Sequence, residues 1–184
     1  MNNKKTLDIK SVTIAGLLTA IALIIPMIMP IKIKLEPIFS ATLAAHVPGI
    51  LAMFVGPFAV VGTAIGSAIG FFNVLGPWVA ARAFMHLLFG LCGYYLLKRN
   101  YNFFFVVLVT GLIHAVSEML VGVTSLPFVP LPEGTNAAWN ILITIGLGTF
   151  LHHCIDFVIA FAVYKPLQAA KIISMPLTYK KFKG

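Results

Sequence analysis

The chain has 184 residues, 60% of them hydrophobic and only 10% charged, with a mean hydropathy of +1.00. A water-soluble domain carries roughly 25% charged residues, so too little polar side chain is present to coat a water-facing surface, and a soluble fold is excluded. The net charge of +8, from 13 Lys+Arg against 5 Asp+Glu, speaks for membrane flanks rather than nucleic acid, because the cations sit at the ends of apolar runs and form no basic face interleaved with aromatics.

The first apolar run, 12–29, follows Lys4, Lys5 and Lys10 and contains only two threonines. It is too long for a cleavable signal peptide and ends in Pro26 and Pro30 without a small-residue cleavage site, so no signal peptide is expected. A loop, 30–37, bracketed by prolines and carrying Lys32, Lys34 and Glu36, disfavours continuous helix. The second run, 38–54, halts at Gly56-Pro57; the third, 58–72, is short and rich in small residues. The fourth, 78–97, is closed by Lys98-Arg99-Asn100, the fifth is 103–123, and the sixth, 138–164, stops at Lys165-Pro166. At about 20 residues per crossing, an all-α integral membrane protein of six transmembrane helices is expected, one domain over 1–184.

Six crossings put both termini on one side. Lys98 and Arg99 fall there too, with Lys165, Lys171, Lys180, Lys181 and Lys183, so that side is expected to be the cytoplasm. Lys32 and Lys34 are the exceptions, in the first outer loop. Trp78 and Trp139 each open a helix at the outer face, where amphipathic rings anchor. The outer stretch 124–135 is long for a helix connection and rich in proline; it reads equally as a stiffened lid or a plain linker. Cys92 and Cys154 lie inside apolar runs without a CxxC partner and read as small buried hydrophobes.

Small residues recur on two helices. Ala15, Gly16, Thr19 and Ala20 give the first helix a face for close helix approach, internal or toward an external partner. Gly62, Ala64, Gly66, Ala68 and Gly70 repeat the device in the third run, where internal packing is the preferred reading.

Ionisable residues at membrane depth are costly and therefore functional candidates. His46 lies in the second run; Arg82 and His86 share a face of the fourth, His114 and Glu118 of the fifth, and His152 and Asp156 of the sixth, beside His153. At 1.5 Å per residue, Arg82 lies roughly 6 Å, His86 roughly 12 Å and Glu118 roughly 9 Å below the outer helix ends. Arg82, His86 and Glu118 are thus expected to line an outward-facing cavity, with Asn73, Asn136 and Asn140 at its rim and Trp78 and Trp139 placed to stack on a ring. The plainer alternative is an Arg82–Glu118 ion pair that only ties two helices. His152, His153 and Asp156 read as a proton relay or metal pair, or as an interhelical hydrogen bond. No HxxxH, HExxH, GxSxG or Walker A sequence occurs, so neither a metal site nor a catalytic residue is assigned, no cofactor is expected, and ATP-driven work needs other subunits.

Size, six helices, a basic start and the first-helix stretch Ala15-Gly16-Leu17-Leu18-Thr19-Ala20-Ile21-Ala22 together resemble the membrane-embedded substrate-binding S components of energy-coupling factor (ECF) transporters, over nearly the whole chain. Further likeness lies in His46-Val47-Pro48, Gly66 to Phe72, Arg82-Ala83-Phe84-Met85-His86 and Gly146-Leu147-Gly148-Thr149, and is to the S components for cobalamin or niacin. The resemblance implies an S-component bundle in the bacterial plasma membrane that captures a vitamin from outside. It also implies association with a transmembrane coupling subunit and two cytosolic ATPases, with the small face of helix one meeting the coupling subunit. That family motif usually has alanine at both ends; Gly16 departs from it, so either Gly16–Ala20 or Ala15–Thr19 is the docking pair. Cobalamin is favoured as cargo because small residues suggest a wide cavity; niacin, a small carboxylate for which Arg82 is a natural clamp, is the alternative. Other classes are an intramembrane enzyme using His152, His153 and Asp156, and a stand-alone carrier.

Overall fold

The computed structural model describes residues 8–35, 39–129, 131–173 and 175–178. Lys4, Lys5, Lys180, Lys181 and Lys183, and Glu36, Pro37 and Pro130, lie outside the described residues.

Helix α1, Ile9–Ile28, starts at Asp8, whose side chain accepts from the Lys10 amide, and contains Pro26. Strands β1, Lys32–Leu35, and β2, Phe39–Thr42, pair antiparallel, with Lys32 opposite Thr42 and Leu35 opposite Phe39. Helix α2 is only Val47–Ala52, followed by α3, Pro57–Leu75. The fourth apolar run is split at Met85 into α4, Pro77–Phe84, and α5, His86–Lys98. Helix α6 is Phe103–Ser125. The last span comprises a short α7, Ala137–Trp139, a π-helical segment, Asn140–Leu147, and α8, Gly148–Ala169.

The expectation of helix throughout 38–54 is corrected: residues 39–54 are a strand, turns and a six-residue helix, and Ile38 lies outside the described residues. Pro48 sits in the first turn of α2, where its missing N–H costs nothing. The sixth run also differs, since α8 continues through Pro166 to Ala169. A proline so near a helix end removes a single ladder bond, so Lys165-Pro166 does not stop the helix.

Five helical segments are long and apolar enough to cross a membrane: α1, α3, α4 with α5, α6, and the segment from α7 through α8. Helices α1 and α3 are parallel neighbours. A Cβ added at Gly66 would lie 2.6 Å from the Thr19 carbonyl oxygen, and one at Gly70 would collide with the Leu23 carbonyl. The small residues of α3 thus allow backbone-to-backbone approach inside the protein.

Because α1 and α3 run the same way, the chain between them must return the full depth of the bundle. It does so beside α8. Phe39 packs at Gly148, the Thr42 carbonyl meets His152, the Ala44 and His46 amides meet Asp156, and the Phe54 and Tyr164 rings are 4.5 Å apart. Both ends of the described chain then lie at one end of the bundle, where the Lys10 ammonium donates to the Lys171 carbonyl and the Phe103 amide to the Thr178 carbonyl. Phe54, Val60, Phe89, Val106, Phe157 and Tyr164 belong to the larger core cluster on that side, while Phe39, Ala41, Ile141 and Ile145 form a separate one. Large apolar side chains such as Leu17, Phe104, Leu120 and Val158 point outward, as they do in a protein solvated by lipid.

Candidate functional site

The Met85 break in α4–α5, the turn before α2, α6 and the start of α8 aim their polar side chains at one point. Arg82 donates from Nε and Nη2 to Glu118 Oε2, at 3.0 and 2.6 Å. Thr149 Oγ1 donates to the same oxygen at 2.8 Å, and Glu118 Oε1 lies 3.2 Å from His114 Nε2. The guanidinium also sits over the Phe39 ring, 5.5 Å from its centroid. Arg82 and Glu118 are each only 5% exposed, so both charges need these partners.

A second carboxylate anchors the other half. Asp156 accepts from the Ala44 amide through Oδ1 and from the His46 amide through Oδ2, both at 2.9 Å. His46 Nδ1 is also 2.9 Å from Asp156 Oδ2, but not in the direction a ring N–H must point, so it forms no hydrogen bond there. His152 Nε2 reaches the Thr42 carbonyl at 3.1 Å and Asp156 at 3.4 Å.

All five histidines of the chain meet here. The His46 ring lies between those of His86, His114 and His152, at centroid distances of 4.7, 4.5 and 4.4 Å, and His153 is 3.2 Å from His114, Nδ1 to Nδ1. Between Arg82, Glu118, Thr149, His46, His86 and His152 is a cavity of about 20 Å³, which also touches Phe71, Val79 and Ala83. That volume holds one water-sized body; a ring-bearing ligand enters only if the site opens. At the end of the bundle away from the termini, Phe128 stacks on Trp78 with centroids 5.2 Å apart, and Leu126, Val129 and Leu131 pack on the Phe39–Ile145 cluster. Leu126, Phe128, Val129 and Leu131 are therefore folded over this end.

The chain is 36% identical over 185 residues to the niacin transporter NiaX of Lactococcus lactis subsp. cremoris (strain MG1363), a match covering 92% of this chain and 80% of that protein. It belongs to the S components of ECF transporters. No protein-family model matches, and no solved structure does. As an S component it is a multi-pass cell-membrane protein that serves vitamin transport together with ECF partner subunits. It is a transporter subunit rather than an enzyme, and ATP hydrolysis resides in the partners.

In this S component the side chains of Arg82, His86 and Glu118 line the cavity, while Trp78, one turn before Arg82 in α4, stacks on Phe128 and is not among the lining residues. The other sequence-derived residues are elsewhere. Asn73 is exposed near the end of α3. Asn136 caps α7 by accepting from the Trp139 amide at 3.0 Å, and Asn140 bonds back to the Asn136 carbonyl at 3.3 Å. Trp139 is 63% exposed and points away from the cavity. As a helix cap, Asn136 is polar for a local reason as well. Ser40, Thr42, His46, Thr149 and His152 were not assigned to the cavity from the sequence. Of these, only His46 and His152 carried a signal, their cost at membrane depth.

Proposed function

We propose that this S component captures niacin as nicotinate from the extracellular side. The relative named a niacin transporter supports this reading, and so does a small cavity whose cation is a buried arginine. Cobalamin, the cargo favoured by the sequence, fits neither: the relative is named for niacin, and the small residues that suggested a wide cavity are spent on contacts such as Gly66 with Thr19 and Gly70 with Leu23. A carboxylate ligand shares the Arg82 guanidinium with Glu118 while its ring lies against Phe71, Val79 and Ala83. Entry requires Phe128 to leave Trp78, which makes the 124–135 segment a lid. Saturable binding of radiolabelled nicotinate to the detergent-purified protein tests this. Nicotinamide, which lacks the charge, is expected to bind about 10–100-fold more weakly, and cobalamin not at all. Equal binding of nicotinate and nicotinamide refutes an arginine-centred carboxylate site.

The six-crossing topology belongs to the same proposal. The return of 39–54 beside α8 supplies the sixth crossing, and Lys10, Lys98, Arg99, Lys165 and Lys171 gather toward the end that holds the termini, leaving Lys32 and Lys34 opposite. This distribution supports cytoplasmic termini.

For the coupling subunit, expected to work with two ATPases, the outward face of α1 is the proposed contact. Ala15 is buried, and Thr19 is occupied by Gly62 and Gly66 of α3, whereas Gly16 and Ala20 face out, with no heavy atom within 4 Å of a Cβ built at Gly16. Gly16→Leu and Ala20→Leu are expected to leave nicotinate binding unchanged and to reduce ATP-dependent uptake about 5–150-fold, since one overpacked contact costs about 1–3 kcal/mol. Paired binding and vesicle-uptake assays check this; normal uptake by both variants assigns docking elsewhere.

A further inference from the structure

We propose that His46, His86 and His114 form a binding site for a divalent transition-metal cation of the zinc or cobalt class, with the Glu118 carboxylate beside it. The hydrogen-bond pattern requires something positive at this point. Thr110 Oγ1 donates to the Val106 carbonyl at 2.7 Å, so toward His153 Nε2, 3.1 Å away, it can only accept. His153 therefore carries its proton on Nε2 and presents a bare Nδ1 to His114 Nδ1 at 3.2 Å, so the His114 proton is on Nδ1. A neutral His114 then turns the lone pair of Nε2 toward Glu118 Oε1, 3.2 Å away. Two acceptors face each other across that gap, and a proton or a metal ion must sit with them.

A proton needs only those two groups. A metal needs further donors, and they are present: one nitrogen from each of His46, His86 and His114 lies within 4.8 Å of the others. Bonds of about 2.0–2.1 Å, with three protein ligands and an open position, are typical of zinc, and shifts of under about 1 Å per ring reach them. Two carboxylate oxygens also lie beside these rings, Asp156 Oδ2 at 2.9 Å from His46 Nδ1 and Glu118 Oε1 at 3.2 Å from His114 Nε2, and their negative charge favours a cation at this point. The competing set, His46, His152 and Asp156, is already committed, because Asp156 holds two amides and His152 the Thr42 carbonyl. Charge points the same way. Among the described residues the buried formal charges are Arg82 against Glu118 and Asp156, one positive and two negative, so an entering nicotinate would leave this core at about −2, and a divalent cation returns it to neutral. This last point alone rests on the niacin reading.

The test is to purify the full chain in detergent, strip it with a chelator and titrate Co2+, reading metal content and the ligand-field bands of tetrahedral cobalt. One Co2+ per chain, displaced by Zn2+, is expected for the native sequence and for His152→Ala, with loss of the bands in His86→Gln and His114→Gln. A rise in the unfolding temperature of the native protein with Zn2+ gives a readout independent of whether the variants fold. No stoichiometric metal in the native protein, or metal lost in His152→Ala but kept in His86→Gln, overturns the site. Nicotinate bound equally well by chelated protein that takes up no metal also overturns it, assigns the positive charge to a proton and leaves the niacin reading intact. Stoichiometric metal with no nicotinate binding supports the site and refutes niacin as cargo.

Discussion

Replacing Arg82 by alanine is expected to abolish nicotinate capture and to destabilise the protein by about 3–5 kcal/mol, the usual consequence of stranding one member of a buried ion pair. Arg82 puts two donors on a single oxygen of Glu118. Without them the carboxylate keeps, among the described residues, Thr149 and the His114 ring. A stability loss alone would also follow if the pair merely tied α4 to α6, so the deciding variant removes both partners. Arg82→Met with Glu118→Leu leaves no orphaned charge and is expected to recover most of the lost stability, while nicotinate binding stays absent. Arg82→Lys keeps the charge but loses the planar fork, and intermediate stability with weak binding is expected. Thermal unfolding and equilibrium binding on the same samples separate the two roles. Native-like affinity in the double variant shows that Arg82 is only a strut.

How far the site was legible in the sequence depends on whether its signals were local. Hydropathy located the five long helical segments, because lipid demands apolar side chains over a fixed length. The i,i+4 spacings and a depth count brought Arg82, His86 and Glu118 to one level, and they do line one cavity. The same spacing rule hid the larger pattern. It paired His114 with Glu118 and His152 with Asp156 within their helices and offered no means of seeing that all five histidines share one centre. Motif spacing offered no metal ligands for the same reason: His46, His86 and His114 come from three segments that the tertiary fold brings together. Residues 38–54 were misread as helix because apolarity was counted without asking what satisfies the backbone. The amides at Ala44 and His46 find their acceptor on Asp156, more than 100 positions away, and no local pattern announces that. Trp139 was expected to face the cavity from its place at a helix start alone, but the position of a ring around a helix axis is set by packing.

Asp156→Asn is the second variant expected to have a large effect, here on folding rather than on ligand chemistry. The chain turns between β2 and α2 inside the bundle, where unsatisfied amides find no water, and each would cost several kcal/mol. Asp156 closes that gap with one oxygen for each amide, forming a carboxylate-filled backbone nest of the kind that binds anions. Asparagine keeps one acceptor and turns an NH2 group toward the other amide, so one bond is lost and a donor–donor contact replaces it. A loss of about 3 kcal/mol or more is expected, drawn from a charge-assisted bond and a buried unpaired donor. The turn is strained as well, since Ala44 has φ of 65° without being glycine, a conformation costing about 1–2 kcal/mol for a residue with a Cβ. Ala44→Gly relieves that strain but adds chain entropy in the unfolded state, so a gain of under about 1 kcal/mol is expected. Combined with Asp156→Asn it should recover only part of the loss, because strain and unpaired amides are separate costs. Melting curves of the three variants in detergent measure this. If Asp156→Asn melts like the native protein, the turn is held by something other than this carboxylate, and the placement of His46 beside His86 and His114 loses its physical cause.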